Sequence, residues 1–143
     1  MTVDPHQVGA DLGLAALRLN RRLRVQRRDA RVSLTQASAL VTLYLGGPMT
    51  PGVLAARERV QPPSMTRVIA ALEVLGFVDR EPHPTDRRQV IVSISAAGTE
   101  YVEADKSARD AWMDARMQEL TADEVATLAR AVELVNRLVG ADD

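Results

Sequence analysis

Apolar residues recur at helical spacing along most of the chain and alternate only over a short central stretch. Val8, Leu12, Ala15 or Ala16, Leu19 and Leu23 predict a first helix over 8–30. Thr35 is placed to cap a second, Gln36–Leu45, which buries Leu40, Val41 and Tyr44 and stops at Gly46-Gly47-Pro48. Thr50-Pro51 marks a third start, because proline at the first helical position lacks only an N–H that has no helical partner there. That helix, Pro51–Glu58, turns Leu54 and Ala55 inward, and Arg59-Val60-Gln61 then turns the chain with Val60 toward the core. A fourth helix, Pro62–Leu75, carries the stripe Met65, Val68, Ile69, Leu72 and Leu75, and Gly76 ends it.

Two short strands follow, Phe77–Glu81 and Gln89–Ser95, the second alternating at Val90, Val92 and Ile94. Pro82-His83-Pro84-Thr85-Asp86-Arg87-Arg88 forms a stiff, charged hairpin tip between them. Ser95 caps a helix over Ala96–Glu119, with Tyr101, Ala104, Ala108, Ala111, Trp112 and Ala115 near one face. Thr121 and Glu124 have capping-box spacing and open a last helix with Val125, Leu128, Val132, Val135 and Val139 on its stripe. Leu134 and Leu138 widen that stripe. The pattern predicts a mainly α fold with a small β-hairpin wing. It is one domain over 1–143: a winged helix-turn-helix lobe at 35–95 and a helical dimerisation region from 1–34 and 96–143. The terminal helices leave more apolar surface than one chain can cover, and a two-fold dimer is the simplest cover. Leu12, Val125, Leu128, Val132 and Val135 are the expected dimer contacts.

Charge changes this picture more than composition does. The 143 residues are 46% hydrophobic but only 3% aromatic, so the core must be aliphatic. The net charge is −1, unevenly spread. Residues 1–34 hold seven Arg against three acids (+4), 35–95 six against five (+1), and 96–143 five bases against eleven acids (−6). Arg18, Arg21, Arg22, Arg24, Arg27, Arg28 and Arg31 form either a solvated helical face or a phosphate-facing stripe, and both readings stay open. With no cysteine there is no disulfide, thiolate metal site or thiol switch. His6 and His83 are far apart and expected to be exposed, so neither a metal nor a cofactor is expected.

Neither an apolar run of about 18 residues nor an apolar signal core is present, which predicts a soluble, cytoplasmic chain with no membrane partner. The carboxylates of 96–143 read as solvated helical faces. Without a Ser-His-Asp order, a Gly-rich phosphate loop or a metal cluster, the chain is not expected to be an enzyme.

The helix-turn-helix and hairpin point instead to double-stranded DNA. A helix fits the major groove, about 12 Å wide, and a hairpin arginine can enter the adjacent minor groove. Opposite the fourth helix's apolar stripe lie Gln61, Pro63, Ser64, Thr66 and Arg67, the candidate recognition face. Any amphipathic helix has such a polar face; the wing behind this one gives it a reading role. Arg67 can make two hydrogen bonds to guanine or to phosphate. On the wing, Arg87 and Arg88 are the candidate DNA contacts, one in the minor groove and the other holding phosphate, with the two roles open to exchange. Asp86 cannot attract DNA and is expected to orient an arginine. Trp112, Tyr44 and the methionines are assigned to the core, not to ligand contacts. The alternative is a winged-helix module for a protein partner, without operator binding.

Three segments in this order, LAARERVQPPSMTRVIAALEVLGF, TDRRQVIVSISAAG and the terminal helical arms, resemble the MarR family of winged-helix regulators over nearly the whole chain. Asp86-Arg87-Arg88 matches that family's Asp-x-Arg wing signature, and the match implies that Arg88 is the residue that enters the minor groove. The resemblance implies a triangular homodimer whose end helices interlace and whose two lobes straddle a pseudopalindromic operator. It also implies repression, relieved by an anionic aromatic or other small-molecule effector between the dimer region and the DNA lobe. The absence of cysteine sets aside the family's thiol-oxidation branch.

Overall fold

A computed structural model describes residues 2–26 and 29–140. Its elements follow in the predicted order: α1 (Pro5–Val25), α2 (Leu34–Gly46), α3 (Pro51–Glu58), α4 (Pro62–Val74), β1 (Val78–Pro82), β2 (Val90–Ile94), α5 (Ala96–Met117) and α6 (Ala122–Val139). The predicted types hold and several boundaries move. α1 begins earlier than expected, because the Asp4 carboxylate accepts the His6 N–H and Pro5 occupies the first turn. It also ends earlier, at Val25; Arg27 and Arg28 of the predicted stretch lie outside the described residues.

The cap of α2 is Ser33, not Thr35. Ser33 Oγ accepts the Gln36 N–H at 3.2 Å while Gln36 Oε1 accepts the Ser33 N–H at 2.9 Å, so two otherwise unpartnered donors are satisfied reciprocally. Thr121 and Glu124 do the same for α6, and the Thr121 N–H holds the Glu124 carboxyl below the usual carboxylate range. At the end of α4, Gly76 adopts φ 75, the left-handed turn that starts the hairpin.

β1 and β2 pair antiparallel from Val78 opposite Ile94 to Pro82 opposite Val90. A third segment, not foreseen, joins the sheet: Met49 donates to Val92 O at 3.0 Å and accepts from the Val92 N–H at 2.8 Å. This bridge ties the α2–α3 connection to the hairpin and so fixes the wing against the helix-turn-helix.

The core runs from Val32 to Val102, with Leu40, Leu43, Leu54, Met65, Ile69, Leu72 and Val92 fully buried. Val41, Val60, Val68 and Leu75 pack half-buried against it. Tyr44, expected inside, is 39% exposed and its hydroxyl reaches Glu103 at 3.4 Å. α5 turns Val102 and Asp105 inward, two positions that its small-residue face did not reveal. Asp105 is therefore not one of the solvated carboxylates. It lies 3.3 Å from the Arg109 guanidinium, one helical turn on, and the ion pair offsets its burial.

Phe77 stacks on Tyr101 with ring centroids 5.2 Å apart, which brings the start of α5 against the root of the hairpin. Gly98 allows that approach: a Cβ there would stand 2.2 Å from the Phe77 carbonyl oxygen. α1 and α6, by contrast, bury no residue. Leu12, Val125, Leu128 and Val132 are exposed and Val135 is half-buried, and Leu12, Leu128, Val132 and Val135 line one apolar groove between the two helices. Among the described residues, no helix is long and apolar enough to cross a membrane.

Candidate nucleic-acid interface

The turn into α4 is sharp. Arg59 sits at φ 53, a left-handed conformation that costs a side-chain-bearing residue roughly 1–2 kcal/mol. The Val60 N–H meets Ala55 O at 3.0 Å and holds the turn closed. α4 then starts on Pro62 and Pro63, where missing N–H groups cost nothing. Because Met65, Ile69 and Leu72 point inward, the helical period leaves Gln61, Pro63, Ser64, Thr66 and Arg67 exposed on one outer surface.

These side chains do not offer the same chemistry. The Thr66 hydroxyl donates to Pro62 O at 3.0 Å, so its proton is engaged and its lone pairs and methyl remain for a ligand. Gln61 makes no side-chain cap bond, leaving its amide available. Among the described residues Arg67 has no ion-pair partner, and its guanidinium presents a planar fork of donors to solvent.

The wing tip is held by its own side chains. His83 N–H donates to Gln89 O at 3.2 Å, and Gln89 N–H to Asp86 O at 3.1 Å. Asp86 Oδ1 accepts the backbone N–H of Arg88 at 3.0 Å, and Oδ2 accepts Gln89 Nε2 at 3.1 Å. Asp86 thus meets Arg88 through its backbone and not through its guanidinium. Both Arg87 and Arg88 are exposed, with no ion pair among the described residues. His83, expected to be exposed, is half-buried against the tip's backbone.

Arg88, Gln89 and Val90 share a cleft with Thr50, Pro51 and Gly52. The first turn of α3 therefore stands beside the wing, a neighbour that no spacing in the sequence signalled. Its N-terminal partial charge adds to the positive side of this surface.

The arginine stripe on and after α1 is divided by its partners. Arg31 is taken up by Asp29, with N–O distances of 3.0, 3.2 and 2.7 Å, and those bonds hold the Asp29 carboxyl at about 2. Arg22 lines a crevice with Trp112 and Arg116, whose guanidinium lies 5.2 Å from the indole centre. Arg24 lines another crevice, between α1, α2 and α5, with Asn20, Leu34, Ser38, Asp105 and Arg109. Among the described residues, no group of three or more His, Asp or Glu side chains could hold a metal ion.

The sequence and the fold are similar to those of known proteins. The MarR family profile matches residues 32–90, from the last residues before α2 to the first of β2. An uncharacterized HTH-type transcriptional regulator of Mycobacterium leprae is 52% identical over 133 residues, 93% of each chain. The multiple antibiotic resistance protein MarR of Salmonella typhimurium is 31% identical over 99 residues, 68% of each chain. Among solved structures, RV1404 from Mycobacterium tuberculosis superposes with a TM-score of 0.84 at 25% identity, covering 99% of both chains.

Proposed function

Because this chain belongs to the MarR family and is a helix-turn-helix transcriptional regulator, we propose that it binds a pseudopalindromic operator as a homodimer and represses transcription until a small molecule releases it. The lobe at 35–95 reads DNA, while 1–34 and 96–143 form the dimerisation region. The observation that carries this reading is a pair of exposed guanidinium groups with no ion pair among the described residues, Arg67 on the outer face of α4 and Arg88 on the wing. Arg67 takes the major groove, and Arg88 the minor groove beside it. Gln61, Pro63, Ser64 and Thr66 complete the reading face of α4, and Arg87 takes a phosphate.

Leu12, Val125, Leu128, Val132 and Val135 form the dimer contact, since their side chains make an apolar surface that this chain alone leaves uncovered. The crevice of Arg24, Ser38, Asp105 and Arg109 is the effector site, lying between the helices assigned to the dimer and α2 of the reading lobe. A ligand there can bias the angle between them. The protein acts in the cytoplasm, with duplex DNA and a second copy of itself as partners.

Two substitutions test this division of labour in binding to a duplex recovered by selection with the wild-type protein. Arg67→Ala is expected to lose about 1–3 kcal/mol of discrimination at one symmetric pair of major-groove positions. Arg88→Ala is expected to weaken binding through the flanks, where groove width and A·T content set the strength of an arginine contact. Circular dichroism first establishes that each variant is folded. A folded Arg88→Ala protein that binds the operator and A·T-swapped flanks as wild type does would transfer the case to a protein-partner module.

A further inference from the structure

One polar side chain of the wing tip has no part in this reading of DNA. The Nδ1 atom of His83 accepts the backbone N–H of Thr85 at 3.2 Å and that of Asp86 at 3.1 Å, with the Thr85 hydroxyl 3.4 Å away. An Asp or Asn side chain closes a turn in the same way, by accepting N–H groups from just ahead in the chain. Pro84, between His83 and Thr85, restricts the backbone φ and favours that turn. The opposite ring orientation would face both backbone donors with a C–H. To accept, Nδ1 must be unprotonated, so the ring's proton lies on Nε2.

The bonds run onward to the reading arginine. His83 holds the Asp86 N–H, and the Asp86 carboxylate holds the Arg88 N–H at 3.0 Å and Gln89 Nε2 at 3.1 Å. Gln89 O receives the His83 N–H at 3.2 Å and closes the circuit. We infer that His83, as the neutral Nε2–H tautomer, is a positioning residue for Arg88, and that adding a proton to its ring opens the wing tip. This rests on the reading that the wing contacts DNA.

The charged groups around the tip do not supply another acceptor of this kind. Asp86, Arg87 and Arg88 belong to the tip itself, and Asp79, Arg80 and Glu81 to β1. α4 presents Glu73, which Arg80 holds at 2.8 Å. α3 places its uncharged first turn, Thr50–Gly52, beside Arg88. α2 carries Tyr44 as its only titratable side chain, and α5 meets the hairpin at Phe77 and Ile94, the end away from the tip. A ring protonated on both nitrogens has no lone pair left, and both backbone donors then lose their acceptor. The added charge would by itself favour a polyanion, so the two effects oppose one another in DNA binding.

The test separates them with the full-length protein. In solution NMR without DNA, acidification is expected to move the Thr85 and Asp86 amide resonances together with those of the His83 ring. Amides that stay fixed while the ring titrates overturn the inference. With the selected duplex at neutral pH, His83→Ala is expected to bind roughly tenfold more weakly, the size of one net hydrogen bond. It should add almost nothing to Arg88→Ala, as a residue acting through Arg88 requires. His83→Asn, whose Oδ1 replaces the acceptor and does not titrate, should restore wild-type affinity and remove the acid-sensitive part of its pH profile. A His83→Asn protein as weak as His83→Ala, or a His83→Ala protein as tight as wild type while Arg88→Ala is weak, refutes the positioning role. If the wild-type protein binds no duplex, the DNA reading fails, and the amide titration alone decides whether His83 closes the tip.

Discussion

Gly98→Ala is expected to lower the stability of the fold by about 3 kcal/mol, the upper range for overpacking a closed interior. The new Cβ would stand 2.2 Å from the Phe77 carbonyl oxygen and 2.8 Å from Ile94 Cγ1. That carbonyl already accepts the Ser95 N–H at 3.0 Å, and Ser95 caps α5 by accepting the Gly98 N–H at 3.1 Å. The oxygen is backbone within a bonded corner, so relief requires α5 to move off the root of the hairpin. Such a shift loosens the Phe77–Tyr101 stack and the burial of Val102 together. Gly52→Ala is the control: its Cβ meets nothing within 4 Å, so chemical denaturation should show no loss. Equal midpoints for the two variants would show that α5 does not press on the hairpin as described.

Most helix signals that were legible in the sequence are local ones. Thr50-Pro51, Gly76 and the Thr121–Glu124 box each mark an end through bonds made within a few residues, and each stands where the pattern put it. Ser33 and Gln36 carry the same capping-box signal as Thr121 and Glu124, two residues before the expected cap at Thr35. Asp4-Pro5 was equally readable as a start.

What periodicity could not give is contact between distant segments. Nothing near Met49 announces a bridge to Val92, and nothing near Thr50–Gly52 announces Arg88 across a cleft. Asp105 looked like one more helical carboxylate until the packing of α5 turned it inward beside Arg109. The candidate reading residues were legible because exposure on α4 follows from its apolar stripe. His83 was not, because its role depends on a turn that brings Nδ1 to two backbone donors.

Charging the apolar face of α6 is expected to have the largest effect on assembly. Leu128 and Val132 lie one turn apart, 41% and 57% exposed, on the groove that α6 forms with Leu12 of α1. Neither belongs to the core, so Leu128→Asp with Val132→Asp should leave each chain folded. In the proposed dimer, however, both carboxylates would be desolvated without partners, at a cost of several kcal/mol each. Sedimentation should then show a monomer with near-native helicity. A monomer engages one half-site at a time, so duplex affinity should fall on the order of a hundredfold. A double variant that remains dimeric and binds normally would place the interface elsewhere.

The proposal that two copies of this chain read a symmetric operator is tested most directly by selecting genomic fragments with the purified protein and footprinting the recovered site. The expected result is two protected half-sites related by a two-fold axis, on the order of 10 bp apart, with minor-groove protection at the flanks and affinity falling steeply with salt. Protection of a single asymmetric half-site, or failure to enrich any sequence at moderate salt, would contradict it.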